Sequence, residues 1–158
     1  MKKIDLIVPY RLEDRPERYK RIVYKKIQEY IKNGSKGDLN LYKTPIKSLP
    51  SNLKTVGGNL SLTNTPISSL PSDLTVGGSL NLYNTPITTL PSNLTVGGYL
   101  HLRNTPISSL PSGLKVGGLY LINTRLSRKY TIEQIRQMIE DTGGYVGEDI
   151  IVLEDLFV

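Results

Sequence analysis

The stretch Thr65–Gly78 reads TPISSLPSDLTVGG, and nearly the same words recur at Thr85–Gly98 (TPITTLPSNLTVGG) and at Thr105–Gly118 (TPISSLPSGLKVGG). A looser copy, TPIKSLPSNLKTVGG, covers Thr44–Gly58, and a degenerate fifth copy, NTRL, covers Asn123–Leu126. The Thr-Pro-Ile triplets are spaced by 21, 20 and 20 residues. A fixed period of this size indicates a repeat architecture in which each unit contacts only its neighbours.

Proline and glycine decide the secondary structure of each unit, L-x-L-x-N-T-P-I-x-x-L-P-S-x-L-x-V-G-G-x. Eight of the ten prolines fall at two fixed positions of the repeat, where they remove backbone donors and exclude a helix or a central strand. Each Gly-Gly pair suits a tight corner. The pattern predicts one short parallel strand per coil at the L-x-L positions, with extended or turn-like backbone elsewhere.

Stacking supplies the core of such a solenoid, because one unit cannot bury its own apolar side chains. In the second copy the side chains that need cover are Leu60, Leu62, Ile67, Leu70, Leu74 and Val76. An asparagine follows each later strand, and we expect a buried amide there to bond the backbone of the bend and the asparagine of the next coil. This column consists of Asn64, Asn84, Asn104 and Asn123, with Lys43 in the first coil.

The pattern LxLxNTPIxxLPSxLxVGG, over residues 37–126, resembles the short leucine-rich repeats of bacterial effectors and bacteriophage proteins. The resemblance implies a leucine-rich-repeat solenoid that binds another protein. In a phage or bacterial protein, that partner would be a host protein whose activity is inhibited or modulated. Effector ubiquitin ligases with such repeats carry a cysteine-dependent catalytic domain, but this chain has no cysteine, so the resemblance does not imply that activity.

The predicted fold class is α/β: a solenoid of about five coils at 37–126, with an N-terminal cap at 1–36 and a C-terminal helix-strand cap at 127–158, all in one structural domain. In the N-terminal cap, KIDLIVP forms a strand or an extended segment, and DRPE at Asp14–Glu17 is a capping box that opens a helix over residues 14–33. The apolar residues at helical spacing are Tyr19, Ile22, Val23, Ile27, Tyr30 and Ile31.

The C-terminal cap begins with a second capping box, Thr131 with Gln134, which opens a helix over residues 131–142. Its predicted buried stripe is Ile132, Ile135, Met138 and Ile139, and Gly143-Gly144 ends it. We expect this helix to replace the proline-rich side of a coil, and Ile150–Leu153 to pair beside the last repeat strand. The alternative is a free acidic tail.

Charge is unevenly distributed along the chain. Residues 1–37 hold 11 Lys/Arg and 5 Asp/Glu, residues 38–113 hold 4 and 2, and residues 114–158 hold 5 and 7, giving net charges of +6, +2 and −2. The lack of cysteine excludes disulfides and thiolate zinc sites. The sequence has no apolar run long enough to span a membrane, and its N-terminal apolar stretch is too short for a secretory signal. We therefore expect a cytoplasmic protein, in the host cytoplasm if it is viral.

The residues that alternate with the strand leucines should form columns on one exposed face of the sheet. The fourth copy is distinctive, because YLHLR places Tyr99, His101 and Arg103 on one strand. Such residue types anchor protein interfaces, although exposed tyrosines also simply suit strands. The predicted partner-binding residues are Tyr42, Tyr83, Tyr99, His101, Arg103 and Tyr120.

Catalytic patterns are weak, so the sequence predicts a protein that is not an enzyme and needs no cofactor. His101 is the only histidine, with no acid nearby in the repeat phase, and the Val-Gly-Gly segments precede strands rather than follow them as phosphate loops do. No cluster with metal-ligand spacing is visible.

Two alternatives to protein binding remain. The outer face of the N-terminal helix could bind nucleic acid or an acidic membrane surface, although its charge also suits a merely solvated cap. We do not expect a membrane partner. The residues of the nucleic-acid alternative are Arg18, Lys20, Arg21, Lys25 and Lys26. Self-assembly is the second alternative, because near-identical coils with oppositely charged ends could stack end to end.

Overall fold

A computed structural model describes residues 15–147 and 149–152, and it shows a parallel β-solenoid with a helix at the N-terminal side and helices and strands at the C-terminal side. The repeats stack in register, so that Leu39 pairs with Leu60, Leu60 with Leu80, and Leu80 with Leu100. The same row continues to Leu119 and Ile150. Six strand segments therefore line up in what we call the first row.

A second row of strands runs beside the first, which corrects the prediction of one strand per coil. Thr55–Val56 pairs with Thr75–Val76, and the row continues through Thr95, Lys115 and Tyr145. The two rows are separate short strands in the earlier coils, whereas the strands Thr95–His101 and Lys115–Tyr120 run through their glycine pairs and belong to both rows. The β-branched Thr-Val dipeptides favour extended backbone, but a two-residue strand is too short to show a sequence periodicity.

The helices and strands have the following bounds in chain order. They are α1 Arg15–Lys32, β1 Leu39–Asn40, β2 Thr55–Val56, β3 Leu60–Ser61, β4 Thr75–Val76, β5 Leu80–Asn81, β6 Thr95–His101, β7 Lys115–Tyr120, α2 Arg125–Lys129, α3 Ile132–Asp141, β8 Tyr145–Val146 and β9 Ile150–Ile151. None of the helices in the described ranges is long and apolar enough to cross a membrane.

The core runs through the stack as a continuous set of leucine, isoleucine and valine side chains. All six side chains predicted to be buried in the second copy are buried, with Leu60, Leu62 and Ile67 fully inaccessible to solvent. Each buried leucine or isoleucine stabilises the fold by about 1.5–3 kcal/mol relative to exposure. The repeated phrase is therefore a folding signal.

The bend after each first-row strand depends on both asparagine and threonine. Asn64, Asn84, Asn104 and Asn123 all have φ between 54° and 56°, a left-handed conformation that asparagine tolerates better than most residues. Their amides pair between coils, since Asn84 Nδ2 donates to Asn64 Oδ1 at 2.6 Å and Asn123 Nδ2 to Asn104 Oδ1 at 2.8 Å.

The predicted burial of these amides is wrong, because all four asparagines are at least partly accessible to solvent. The buried polar group of the bend belongs to the next residue, a threonine. In each coil its Oγ1 donates to the carbonyl of the leucine three residues earlier, at 2.7–2.8 Å. The buried threonines are Thr44, Thr65, Thr85, Thr105 and Thr124.

The glycine pairs form a corner at which successive coils approach closely. A Cβ on Gly77 would overlap the carbonyl oxygen of Gly57, and a Cβ on Gly97 would overlap that of Gly77. None of these three glycines has a positive φ. The corner therefore needs glycine because the backbones touch there, rather than because of an unusual backbone conformation.

Helix α1 packs against the first coil. Val23 and Ile27 are buried in the core, and Tyr24 donates a hydrogen bond to the Ser48 carbonyl at 2.9 Å. The hydroxyl of Tyr30 lies 2.8 Å from the carbonyl oxygens of both Ser35 and Gly37, and it accepts the Gly57 N–H at 3.2 Å. Burial raises the pKa of the Tyr30 phenol above 10, with a smaller contribution from the Asp38 carboxylate.

The predicted apolar stripe of α1 is wrong at two positions. Tyr19 is 47% exposed and Ile22 is 56% exposed, because these side chains lie on the flank of the helix that adjoins Tyr42. The predicted KIDLIVP segment and Asp14 of the first capping box lie outside the described residues.

At the C-terminal side, α2 and α3 occupy the place of the proline-rich part of a coil, as predicted for α3. The Thr131–Gln134 capping box is confirmed, and Ile135 and Ile139 are fully buried, but Ile132 is 37% exposed, contrary to the prediction. Ile132 is the first residue of the helix, at the end of the stripe. Helix α2 was not predicted; Thr124 caps it, and Arg125 replaces the proline of the other coils.

The last strand lies where the sequence predicts. Ile150 and Ile151 of β9 pair with Leu119 and Tyr120 of β7. Leu153 and the rest of the proposed acidic tail lie outside the described residues.

Candidate functional site

The strand register confirms the predicted columns of side chains on the outer face of the first row. Pairing of Leu80 with Leu100 and of Leu100 with Leu119 aligns Asn81, His101 and Tyr120. The neighbouring columns follow from the same register. One contains Asp38, Asn59, Ser79 and Tyr99, and the other contains Tyr42, Thr63, Tyr83, Arg103 and Ile122. We call this surface the first-row face.

The predicted anchors differ in exposure. Tyr42 is 47% exposed and Arg103 is also exposed. The other predicted anchors, Tyr83, Tyr99, His101 and Tyr120, are half-buried. Part of each of these rings is therefore held by neighbouring side chains, which restricts its motion before any ligand arrives.

Three aromatic rings form a cluster where the fourth and fifth coils meet. The His101 imidazole stacks on the Tyr120 ring with 4.5 Å between centroids and 13° between planes. Tyr99 packs at a tilt against both, with centroid distances of 5.3 Å to Tyr120 and 6.1 Å to His101. The structure thus brings together Tyr99 and His101 from one strand and Tyr120 from the next.

A one-residue deletion makes room for this cluster. The fifth coil is one residue shorter at its corner, so Gly118 lies opposite Tyr99 in the register. A Cβ at Gly118 would overlap the Tyr99 ring. The sequence carried this signal in the shorter spacing between Val116 and Leu119, which aligns a glycine with the largest side chain of that column.

Tyr83 and Arg103 form the other side of the same site. The Arg103 guanidinium carbon lies 5.8 Å from the centroid of the Tyr83 ring, which is within cation–π range. Tyr83, Arg103, His101 and Tyr120 line a surface pocket of about 330 Å³. Five of the six predicted anchors therefore belong to one contiguous area.

Tyr42 belongs to a second pocket at the N-terminal end of the face. This pocket, of about 320 Å³, is lined by Tyr42 and Asn40 together with Tyr19, Ile22 and Lys26 of α1. Sequence reasoning missed the contribution of α1, because the spacing of Tyr19 and Ile22 matches a buried stripe. The signal was that both residues lie at one margin of that stripe.

The column that begins with Asp38 has a structural role over its first three residues. Asp38 Oδ1 accepts the Asn59 N–H at 2.7 Å, and Asn59 Oδ1 accepts the Ser79 N–H at 2.7 Å. Ser79 Oγ then accepts the Tyr99 N–H at 3.0 Å. These side chains support the strands between coils, so they are not candidates for ligand binding.

His101 is the residue of this face whose pKa is shifted by its surroundings. Burial lowers the pKa of His101 below 6.5, which keeps its imidazole neutral at physiological pH. Its described ring neighbours are the phenols of Tyr99 and Tyr120. Within the described ranges no group of three or more His, Cys, Asp or Glu side chains could hold a metal ion.

Of the five residues in the predicted basic patch, four are exposed on α1: Arg18, Arg21, Lys25 and Lys26. Lys20 is half-buried. Lys26 Nζ donates to the Asn40 carbonyl at 3.4 Å, so the basic side of α1 adjoins the first-row face.

Comparison of the chain with family models, curated proteins and solved structures gives no match.

Proposed function

We propose that this chain is a non-enzymatic module that binds a partner protein through the first-row face. The observation that carries the proposal is the cluster of Tyr99, His101 and Tyr120, together with the adjoining Tyr83–Arg103 pair. These residues occupy variable positions of the repeat, which other coils fill with smaller polar side chains such as Asn59, Ser61 and Thr63.

The physical argument concerns the cost of ordering side chains on binding. Tyrosine, histidine and arginine combine apolar area with polar groups, and such residues contribute most of the energy of many interfaces. Immobilising a free, rotamer-rich side chain costs about 0.5–1.5 kcal/mol. Because the stacked rings already restrict one another, they lose less conformational entropy when a partner binds.

The size of the face suits a modest interface. A row of six strands spaced by about 4.8 Å extends for roughly 24 Å along the stack. Such a surface offers several hundred Å², near the lower range for a stable complex, in which each partner buries about 800 Å².

The resemblance to short leucine-rich repeats supports the nature of the partner. We propose that the solenoid is a leucine-rich-repeat protein of a phage or bacterium, and that it inhibits or modulates a host protein. The support is the LxLxNTPIxxLPSxL pattern and the stacked solenoid it specifies.

Affinity capture from host-cell lysate followed by mass spectrometry tests the proposal. The bait is the full chain, compared with a variant carrying Tyr99→Ala, His101→Ala and Arg103→Ala. The control is Tyr145→Ala, because Tyr145 is 62% exposed and lies on the second row, away from the face. We expect a partner that the wild type and the control retain and the triple variant loses. Equal retention by all three would contradict the proposed surface.

A second candidate function is nucleic-acid binding by α1, supported by its exposed Arg18, Arg21, Lys25 and Lys26. Such binding would weaken steeply with salt, because each neutralised phosphate releases counterions. Fluorescence anisotropy of labelled single- and double-stranded DNA and RNA at 50 and 200 mM NaCl checks this. A flat salt response, or no binding at the lower salt, would remove the candidate.

A further inference from the structure

The pocket that contains Tyr42 is a groove between α1 and the first coil. Five large apolar side chains are exposed in the described ranges, and three of them, Tyr19, Ile22 and Tyr42, line this groove. Tyr19 and Ile22 form its helix wall, and Leu41 and Tyr42 form its strand wall. A concentration of exposed apolar side chains at one place on a protein surface indicates a binding site.

The strand wall of the groove has an open edge. On one side β1 pairs with β3, and the Leu39 and Leu41 N–H groups donate to carbonyls of the second coil. Successive residues of a strand direct their N–H and C=O groups to opposite edges, so those of Asn40 point away from the second coil. The Asn40 carbonyl accepts Lys26 Nζ at 3.4 Å, which places this edge on the α1 side. Among the described residues no strand pairs with it.

The other end of the first row shows how such an edge is covered. There β9 pairs in parallel with β7, through Ile150 with Leu119 and Ile151 with Tyr120. The chain between these two strands forms α2, α3 and β8. Helices thus belong to the long connection that two neighbouring parallel strands require. At the α1 end of the row, the described part of the chain supplies a helix but no strand beyond β1.

The direction of α1 suits the same arrangement. Lys26 contacts the carbonyl of Asn40, whereas Tyr30, one turn further along the helix, contacts that of Gly37. The helix therefore runs antiparallel to β1. This is the direction of the helix in a strand–helix–strand crossover, because the helix carries the chain back between two parallel strands. A parallel strand before α1 would end where α1 begins.

The sequence before α1 matches the groove. Residues 1–14 lie outside the described residues, and positions 4–8 read IDLIV. Ile4, Leu6 and Val8 alternate along the chain, so an extended backbone puts them on one face. Isoleucine and valine also favour strands. Such a segment offers an apolar face to the helix wall and backbone groups to the strand edge.

This segment is tethered close to the groove. Residues 9–14 span up to about 20 Å at about 3.3 Å per residue. Ile22 lies about 10 Å along the helix axis from Arg15, at about 1.5 Å per residue. Residues 4–8 therefore reach the groove, and a short tether gives them an effective concentration on the order of millimolar there. A partner protein or a second copy of the chain lacks this advantage.

We propose that residues 4–8 of this chain bind the groove as a parallel strand on the open edge of β1. The alternating apolar side chains face the helix wall, and the backbone pairs with Asn40. The segment extends the first row by one strand and covers an edge that could otherwise pair with another chain. It also assigns Tyr42, one of the six predicted anchors, to a contact within the chain. The inference does not rest on the proposed function.

Amide hydrogen exchange of the full chain, measured by NMR, tests the pairing. A strand on this edge protects alternate amides within residues 4–8 and the N–H of Asn40. We expect these amides to exchange at least about tenfold more slowly than in the variant Leu6→Asp, because burial of a carboxylate disfavours docking. The control Tyr145→Asp should leave them unchanged, since Tyr145 is exposed on the second row. Unprotected amides throughout residues 4–8 of the wild type, or equal exchange of Asn40 in wild type and Leu6→Asp, would overturn the inference.

A pair of cysteines locates the segment, because the chain has no cysteine of its own. Under mild oxidation, Leu6→Cys with Ile22→Cys should form a disulfide within one chain at least about tenfold faster than the control, Leu6→Cys with Tyr145→Cys. Peptide mass spectrometry identifies the linked residues. Equal rates in the two pairs would overturn the inference.

The dependence on protein concentration identifies the occupant of the groove. A segment of the same chain gives a rate of disulfide formation that is independent of concentration, and a monomeric product. A disulfide-linked dimer that forms faster at higher concentration would mean that a second copy supplies the strand, and it would overturn the inference.

Discussion

At the residue scale, an asparagine and the threonine that follows it form the bend after each later first-row strand. Asn84 takes a left-handed conformation with φ of 55°, and its amide reaches the asparagine of the coil before it. Thr85, the next residue, bonds the Leu82 carbonyl inside the core. One residue supplies the conformation and the other satisfies the buried backbone.

Substitution of Asn84 separates its two contributions. Asn84→Ala should lower the free energy of unfolding by about 1–2 kcal/mol, because alanine disfavours a left-handed backbone and cannot bond Asn64. Asn84→Gly keeps the conformation and should cost less. Urea denaturation of both variants measures the difference. Equal destabilisation would mean that the backbone conformation is unimportant.

The partial burial of His101 predicts how the free energy of unfolding depends on pH. Its pKa in the folded chain is below 6.5 because of burial, so folding favours the neutral ring. The resulting stabilisation is fully present above pH 6.5 and is lost as the pH falls through the folded-state pKa. Since most carboxylates titrate below about pH 5, the interval between pH 5 and 6.5 isolates this effect.

Proton NMR measures the His101 titration directly, because the chain has one histidine. We expect a midpoint below that of the same residue in the urea-unfolded chain. In the His101→Asn variant, the fall in the free energy of unfolding between pH 6.5 and 5 should shrink. A midpoint at or above the unfolded value would contradict the burial of the ring.

At the scale of elements, the sequence predicted the helices and strands that have a recognisable residue pattern. It did not predict strands that form only through pairing with a neighbouring coil. The first-row strands, the capping box of α3 and the pairing of Ile150 were predictable from leucine spacing, Thr131 with Gln134, and a short apolar run. The second-row strands were not, because Thr75–Val76 is only two residues long and its partner lies a full coil away.

The candidate site was predictable in part for the same reason. Column membership follows from the repeat period, so Tyr83, His101 and Tyr120 could be assigned to one face. Tyr19 and Ile22 could not be assigned to the site, because their place at one margin of the apolar stripe indicates exposure but not that this margin adjoins Tyr42. The ring contacts of Tyr99 also depend on the shortened corner at Gly118.

The hydroxyl of Tyr30 should contribute to the attachment of α1, beside the buried Val23 and Ile27. Tyr30 connects α1 to the carbonyls of Ser35 and Gly37 and to the N–H of Gly57. Tyr30→Phe should lower the free energy of unfolding by about 0.5–1.5 kcal/mol. It removes the bonds of the hydroxyl, while the Gly57 N–H still donates to the Ser35 carbonyl and the Gly58 N–H to the Gly37 carbonyl. Tyr19→Phe is the control, since Tyr19 is exposed. Urea denaturation compares them, and equal stability of the two variants would contradict this role for Tyr30.

At the scale of the whole molecule, the repetition builds a scaffold and its exceptions carry the proposed function. The second coil presents Asn59, Ser61 and Thr63 where the fourth presents Tyr99, His101 and Arg103. Both sets fit the same backbone register. The backbone register of the first row therefore accommodates either set.

Exchange of these residues provides the most direct test of the central claim. The variant Tyr99→Asn, His101→Ser and Arg103→Thr converts YLHLR of the fourth coil into the NLSLT of the second. The measurement is the affinity of the captured partner for this variant and for the wild type by isothermal titration calorimetry, with folding checked by urea denaturation. We predict a folded chain whose free energy of unfolding changes by about 1 kcal/mol or less and whose partner affinity falls by at least about tenfold. A folded variant that binds the partner as tightly as the wild type would contradict the claim.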